Sequence, residues 1–89
     1  MVFYESKIKE TVKKGTIPPN VFKRFDNVFI SLDITNDLGL FDIKKLKSSG
    51  KRTYYRLRKG KYRAIFFVEK KNYYVIPLAK REEVYKKWE

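Results

Sequence analysis

The chain has 89 residues, 43% hydrophobic and 17% aromatic, with 22 Lys/Arg against 10 Asp/Glu for a net charge of +12. That composition describes one compact domain and excludes wholesale disorder. The absence of Cys excludes a disulfide framework and thiolate chemistry, and the absence of His removes the usual neutral-pH acid/base and the commonest metal ligand. Any catalysis must therefore run on Lys, Arg, Tyr, Asp, Glu, Ser or Thr, with no metal and no cofactor expected.

The opening "VFYES" reads as a short strand. Beyond it Tyr4, Ile8 and Val12 recur every four residues, a thin helical stripe ended by Gly15. The prolines of "TIPPN" reset the chain, since Pro18 and Pro19 do not fit a helix interior. Val21, Phe25, Val28 and Leu32 then follow the i, i+4, i+7, i+11 pattern, widened by Phe22 and Phe29, which predicts an amphipathic helix facing the core. "ITNDLGL" reads as a loop or frayed helix end, "FDIKKLK" is ambiguous, and "SSGK" is a turn. From there the period becomes two: Tyr54–Arg58, Tyr62–Val68 and Tyr73–Leu78 are predicted strands. "KREEVYKKWE" returns to helical spacing with Val84, Tyr85 and Trp88 on one face. Two early helices, a three-stranded meander and a terminal helix make an α+β domain.

No apolar run approaches the ~18–20 residues needed to span a bilayer. The first ten residues carry neither an apolar signal core nor a small-residue cleavage site. No membrane association and a cytoplasmic location are expected.

The charge is uneven. Residues 1–50 hold 9 Lys/Arg against 6 Asp/Glu, whereas residues 51–89 hold 13 against 4. The density peaks in "YYRLRKGKYR", residues 54–63, with five cations, three tyrosines and no carboxylate. Cations crowded this way repel until a polyanion neutralises them, so a phosphate-bearing partner is the natural inference. With Lys59-Gly60 as a two-residue turn and Gly60 supplying positive φ, Arg58 would pair with Lys61, Leu57 with Tyr62, Arg56 with Arg63 and Tyr55 with Ala64. Arg56, Arg58, Lys61 and Arg63 would then share one sheet face, and Tyr55, Leu57, Tyr62, Ala64 and Phe66 the other. Arginine suits phosphate through its planar bidentate fork. On a closing helix Arg81 and Tyr85 are i, i+4 neighbours; read by spacing alone, Tyr85 is better explained as a core aromatic with its hydroxyl at the rim.

Taken together, "YYRLRKGKYRAIFFVE" followed by "VIPLAKREEVY" resembles the RelE/ParE superfamily of toxin–antitoxin toxins. The shared features are a Tyr-basic-hydrophobic-basic strand, Gly-x-Tyr-Arg opening the next, and a terminal basic-Arg-x-x-Val-Tyr segment. "DIKKLKSSG" resembles the family's Lys-x-Leu-x-Gly approach to that strand. The match spans roughly residues 42–85. It implies an antiparallel twisted sheet of about four strands with an N-terminal helical hairpin and a short C-terminal helix, all in one domain over residues 1–89. It also implies the toxin of a type II module, a RelE-like endoribonuclease that binds translated mRNA in the ribosomal A site. The implied cut is metal-independent, with the ribose 2′-OH attacking the adjacent phosphate. The family's functional positions fall on Arg56, Arg58, Arg63, Arg81 and Tyr85. Lys45, Lys47, Lys61 and Lys80 are further candidate RNA phosphate contacts. Lys80 stands where several relatives carry His, and arginine, always protonated, serves poorly as a base. The proton acceptor is thus open between Tyr85 and a nearby Lys. The resemblance further implies a small acidic RelB-like antitoxin, with a toxin–antitoxin heterotetramer as one expected assembly. The alternatives are a ParE-like toxin that binds DNA gyrase and cuts nothing, and an inactive nucleic-acid-binding relative.

Overall fold

The computed structural model describes residues 1–46 and 52–88, with side chains through Val84. In chain order the elements are β1 (Val2–Tyr4), α1 (Ser6–Lys13), α2 (Pro19–Thr35), a 3-10 turn (Leu38–Leu40), β2 (Ile43–Lys45), β3 (Tyr54–Lys59), β4 (Tyr62–Glu69), β5 (Asn72–Lys80) and α3 (Arg81–Trp88). The five strands form one sheet in the order β1-β5-β4-β3-β2.

The helices follow the local signals. Gly15, at φ 82°, takes the left-handed position just after α1, where a side chain would be strained. Pro19 opens α2 at a position that needs no backbone N–H, and Asn36 closes it at φ 55° with its N–H on the Leu32 carbonyl (2.7 Å). The α2 stripe of Phe25, Val28, Phe29 and Leu32 is buried together with Ile8 of α1. Both helices lie on one sheet face, against Leu57, Ala64, Phe66, Tyr73, Val75 and Leu78. The Phe29 ring meets Phe66 edge-on at 5.1 Å.

The sheet differs from expectation in two respects. It has five strands rather than about four, and it is mixed: β1 runs parallel to β5, while the other neighbours are antiparallel. A three-residue strand carries no mark of its partner or direction; those come from the long-range pairing of Val2 with Tyr73 and Tyr4 with Val75. The ambiguous "FDIKKLK" contributes β2, whose Ile43 faces Leu57.

The β3–β4 hairpin also turns one residue later than expected. Gly60 and Lys61 form the loop, and the pairs are Lys59–Tyr62, Arg58–Arg63, Leu57–Ala64 and Arg56–Ile65. Gly60 has φ 59° whereas Lys61 is not left-handed, the pattern of a type II′ turn with Gly at its first central position. The shift moves every partner by two places, so the faces keep their residues although the opposed pairs change. Lys61 leaves the ladder for the turn.

On β5 the side-chain alternation breaks. Ala64 pairs with Leu78 and Phe66 with Val75, leaving Ile76 and Pro77 opposite the single residue Ile65. This bulge falls where Pro77 has no N–H to give the ladder. It reverses the alternation, so Tyr73, Val75 and Leu78 all reach the core.

The β4–β5 loop is Lys70-Lys71, with φ of 51° and 65°. Two consecutive left-handed residues suit an Asn-Gly pair, and lysine is strained there. The double substitution Lys70→Asn with Lys71→Gly is expected to raise stability by about 1–2 kcal/mol, readable as a higher urea midpoint with unchanged slope.

Two tyrosines clamp the helices to the sheet. The Tyr4 hydroxyl donates to Asp26 Oδ1 (2.7 Å). The Tyr73 hydroxyl lies within bonding distance of the Leu32 carbonyl (3.2 Å) and Asn36 Oδ1 (3.0 Å). Burial, then the hydrogen bond to Asp26 and its charge, pushes the Tyr4 phenol far above its ordinary value. Burial, then the charge of Asp33, raises Tyr73 in the same direction. A pKa raised by folding contributes stability that is present below the unfolded value, about 10, and is lost as pH rises beyond it. Chemical-denaturant titrations are therefore expected to show stability falling above about pH 10, less steeply in a Tyr4→Phe variant.

Candidate functional site

On the sheet face away from α1 and α2, the ladder registers set side chains in three rows across the strands. The row nearest the Gly60 turn runs Asp42, Arg58, Arg63, Ala79; the next runs Lys44, Arg56, Ile65; the third runs Tyr54, Phe67, Tyr74, Phe3. Successive rows are two residues, roughly 7 Å, apart along each strand.

The first row holds the two arginines opposed to one another, Arg58 and Arg63. Arg58 Nε donates to Asp42 Oδ2 at 2.6 Å, and the Arg58 N–H reaches the Asp42 carbonyl at 3.1 Å. Both side chains are about half exposed. Arg63 behaves differently: it is 8% exposed, and its Nη1 donates to the carbonyls of Gly60 (2.8 Å) and Tyr62 (2.9 Å). Its guanidinium thus closes the end of the hairpin. The same turn anchors α3, because the Arg81 N–H donates to the Lys61 carbonyl at 2.9 Å. Arg81, exposed, therefore begins its helix beside the arginine row.

In the second row Arg56 faces Ile65, not Arg63, and on its other flank it opposes Lys44. Lys44 thus shares the arginine face, whereas its neighbour Lys45 pairs with Tyr55 and belongs to the helix side. Lys80 ends β5 opposite Tyr62, whose ring packs on the core, so it too is parted from Arg63. Lys47 lies outside the described residues, as does the side chain of Tyr85, which follows Arg81 by four residues on α3. Asp42 and Lys44 escaped sequence reasoning. Alternation along β2 would have placed both beside Arg58 and Arg56, had the partner strand been known.

The third row is aromatic. Phe3 stacks on Tyr74 (5.2 Å), Tyr74 on Phe67 (4.9 Å), and Phe67 meets Tyr54 edge-on (5.9 Å). The Arg52 guanidinium covers Phe67 at 4.2 Å and pairs with Glu69 at 3.6 Å. Ile65 and Phe67 are buried on this face, and α3 packs against β4 and β5 with Val84 buried.

A groove between α1 and α3, lined by Ile8, Thr11, Ile76, Pro77, Glu83 and Val84, contains none of these arginines. Lys44 and Arg58 are exposed on the sheet face, an arrangement suited to an extended polyanion more than to an enclosed small molecule. Permanent positive charge there can hold phosphates and stabilise charge developing on one of them. Among the described residues no three Asp or Glu converge to hold a metal ion.

No protein-family model matches the chain, and no curated protein matches it. Solved structures do. A chain of the archaeal RelE–RelB complex from Pyrococcus horikoshii OT3 is 25% identical, with TM-score 0.71 over 90% of this chain and 92% of that one. A chain of the RelB–RelE antitoxin–toxin complex from Methanococcus jannaschii is also 25% identical, with TM-score 0.72 over 94% and 95%. The fold is RelE-like. The resemblance noted in residues 42–85 therefore extends, at the level of fold, to the strand and helices that precede them. Among the described residues no helix of this RelE-like domain is long and apolar enough to cross a membrane.

Proposed function

We propose that the chain is the toxin of a toxin–antitoxin module and acts as a RelE-like endoribonuclease on translated mRNA in the ribosomal A site. The observation that carries this reading is the near full-length likeness to chains of two RelE–RelB complexes, joined to a sheet face that opposes Arg58 to Arg63 beside the start of α3. RNA phosphates lie along Lys44, Arg56 and Arg58. The 2′-oxygen of one ribose attacks the adjacent phosphorus, the 5′-oxygen leaves and takes up a proton from water to become a hydroxyl, and a 2′,3′-cyclic phosphate remains. The arginines and Arg81 stabilise the extra negative charge of the transition state without themselves moving a proton. Tyr85 or a neighbouring Lys takes the 2′ proton.

The partner is a small acidic antitoxin of RelB type, partly disordered until it binds. Ile30 and Ile34, one turn apart on α2 and exposed (76% for Ile34), offer the apolar stripe on which an amphipathic helix would lie. Co-expression with the adjacent reading frame and affinity purification should retain that partner.

Primer extension on a reporter mRNA after induction tests the nuclease reading. Discrete cuts within translated codons are expected; replication arrest without cuts would indicate a gyrase poison instead. In single-turnover assays Tyr85→Phe is expected to slow cutting ~10²–10⁴-fold with binding intact. Unchanged cutting would move the proton-transfer role elsewhere.

A further inference from the structure

The stretch richest in cations has no carboxylate of its own, yet the fold brings one to it. Asp42 lies one residue before β2, opposite Arg58, which in turn opposes Arg63. We propose that Asp42 is a built-in counter-ion of the anion site, occupying the Arg58 guanidinium until an RNA phosphate displaces it. This rests on the reading of the arginine face as an RNA site.

Three features of the pair support the assignment. The carboxylate sits on Arg58 Nε at 2.6 Å, where a phosphate oxygen would bind the same donor. The contact is held from the backbone as well, since the Arg58 N–H donates to the Asp42 carbonyl. An ordinary surface ion pair must order two long side chains, which is why its net worth is small; here the short Asp side chain is delivered by the ladder itself. Finally, Arg58 and Arg63 are like charges directly opposed, an unfavourable arrangement in the empty protein. A carboxylate on the other flank of Arg58 offsets that repulsion while remaining, at about half exposure, open to exchange.

The arrangement also selects among ligands. A lone anion gains only what it recovers by replacing Asp42 on Arg58. A chain of phosphates gains in addition from Lys44 and Arg56, roughly 7 Å further along the strands. The site thus favours a polynucleotide over free phosphate or isolated acidic groups.

The test uses the full chain and a fluorescent single-stranded RNA oligomer methylated at every 2′-oxygen, which cannot be cut and so reports binding alone. At about 0.1 M salt, Asp42→Asn is expected to bind two- to ten-fold more tightly than the parent. In an Arg58→Ala background most of that gain should vanish. Equal or weaker binding by Asp42→Asn would overturn the proposal. So would an undiminished gain without Arg58, which would trace the effect to net charge and not to the pair. A parent that fails to bind the oligomer at all would remove the RNA reading itself, a different outcome from a parent that binds and a variant that does not improve. Thermal melting of both variants guards against misfolding, and the half-exposed position of Asp42 makes that outcome easy to recognise.

Discussion

Arg63→Ala is expected to lower folding stability by about 2–4 kcal/mol, since a buried guanidinium that bridges two turn carbonyls is lost. For a domain of this size that corresponds to a fall in Tm of roughly 10–25 °C. The Gly60 and Tyr62 carbonyls would have to find water, and the turn that anchors Arg81 would loosen with them. Lysine should restore little of the loss, because a single ammonium on a flexible stem does not reproduce the planar fork. Calorimetry on Arg63→Ala and Arg63→Lys checks both statements. A drop below about 1 kcal/mol would mean that the contacts at the hairpin end contribute little. Any loss of cleavage in Arg63 variants must accordingly be corrected for unfolding before it is read as lost stabilisation of the transition state.

The second large effect is on binding. Replacing Arg56 and Arg58 together by Ala should weaken single-stranded RNA binding about 10–100-fold at roughly 0.1 M salt. The slope of log affinity against log salt should fall by roughly 1.4, since each phosphate contact on a single strand contributes about 0.7. Stability should change by less than about 1 kcal/mol. The variant removes the Lys44–Arg56 and Arg58–Arg63 oppositions, which are unfavourable, and their relief offsets the loss of the half-exposed Asp42–Arg58 pair. Undiminished binding at the same salt would show that this face is not the RNA site.

These two experiments separate arginines that sequence reading had grouped. "YYRLRKGKYR" makes Arg56, Arg58 and Arg63 look equivalent: three long cations with the same outward alternation. The alternation was legible because Gly60 marks the turn and strand side chains alternate strictly. The face assignment even survived the one-residue error in the turn, because moving the loop from Lys59-Gly60 to Gly60-Lys61 shifts partners by an even number of places. What each arginine touches was not legible. The carbonyls that hold Arg63 exist only once the hairpin closes, and the carboxylate on Arg58 arrives from β2, sixteen residues upstream.

The same division runs through the molecule. Local residue patterns are enough to specify α2 with its stripe from Phe25 to Leu32, the strand character of residues 54–58, 62–68 and 73–78, and the concentration of charge in the second half. All of these depend on residues within a turn or two of each other, where periodicity and the steric demands of Gly, Pro and Asn act directly. Long-range pairing, by contrast, sets β1 parallel to β5, joins β2 to β3, and puts Lys44 rather than Lys45 on the arginine face. It alone sets the bulge at Ile76-Pro77 that returns Leu78 to the core. Each of these is a pairing between distant segments. A short strand can satisfy its backbone against several partners, and the choice is made by which apolar residues the completed core can bury.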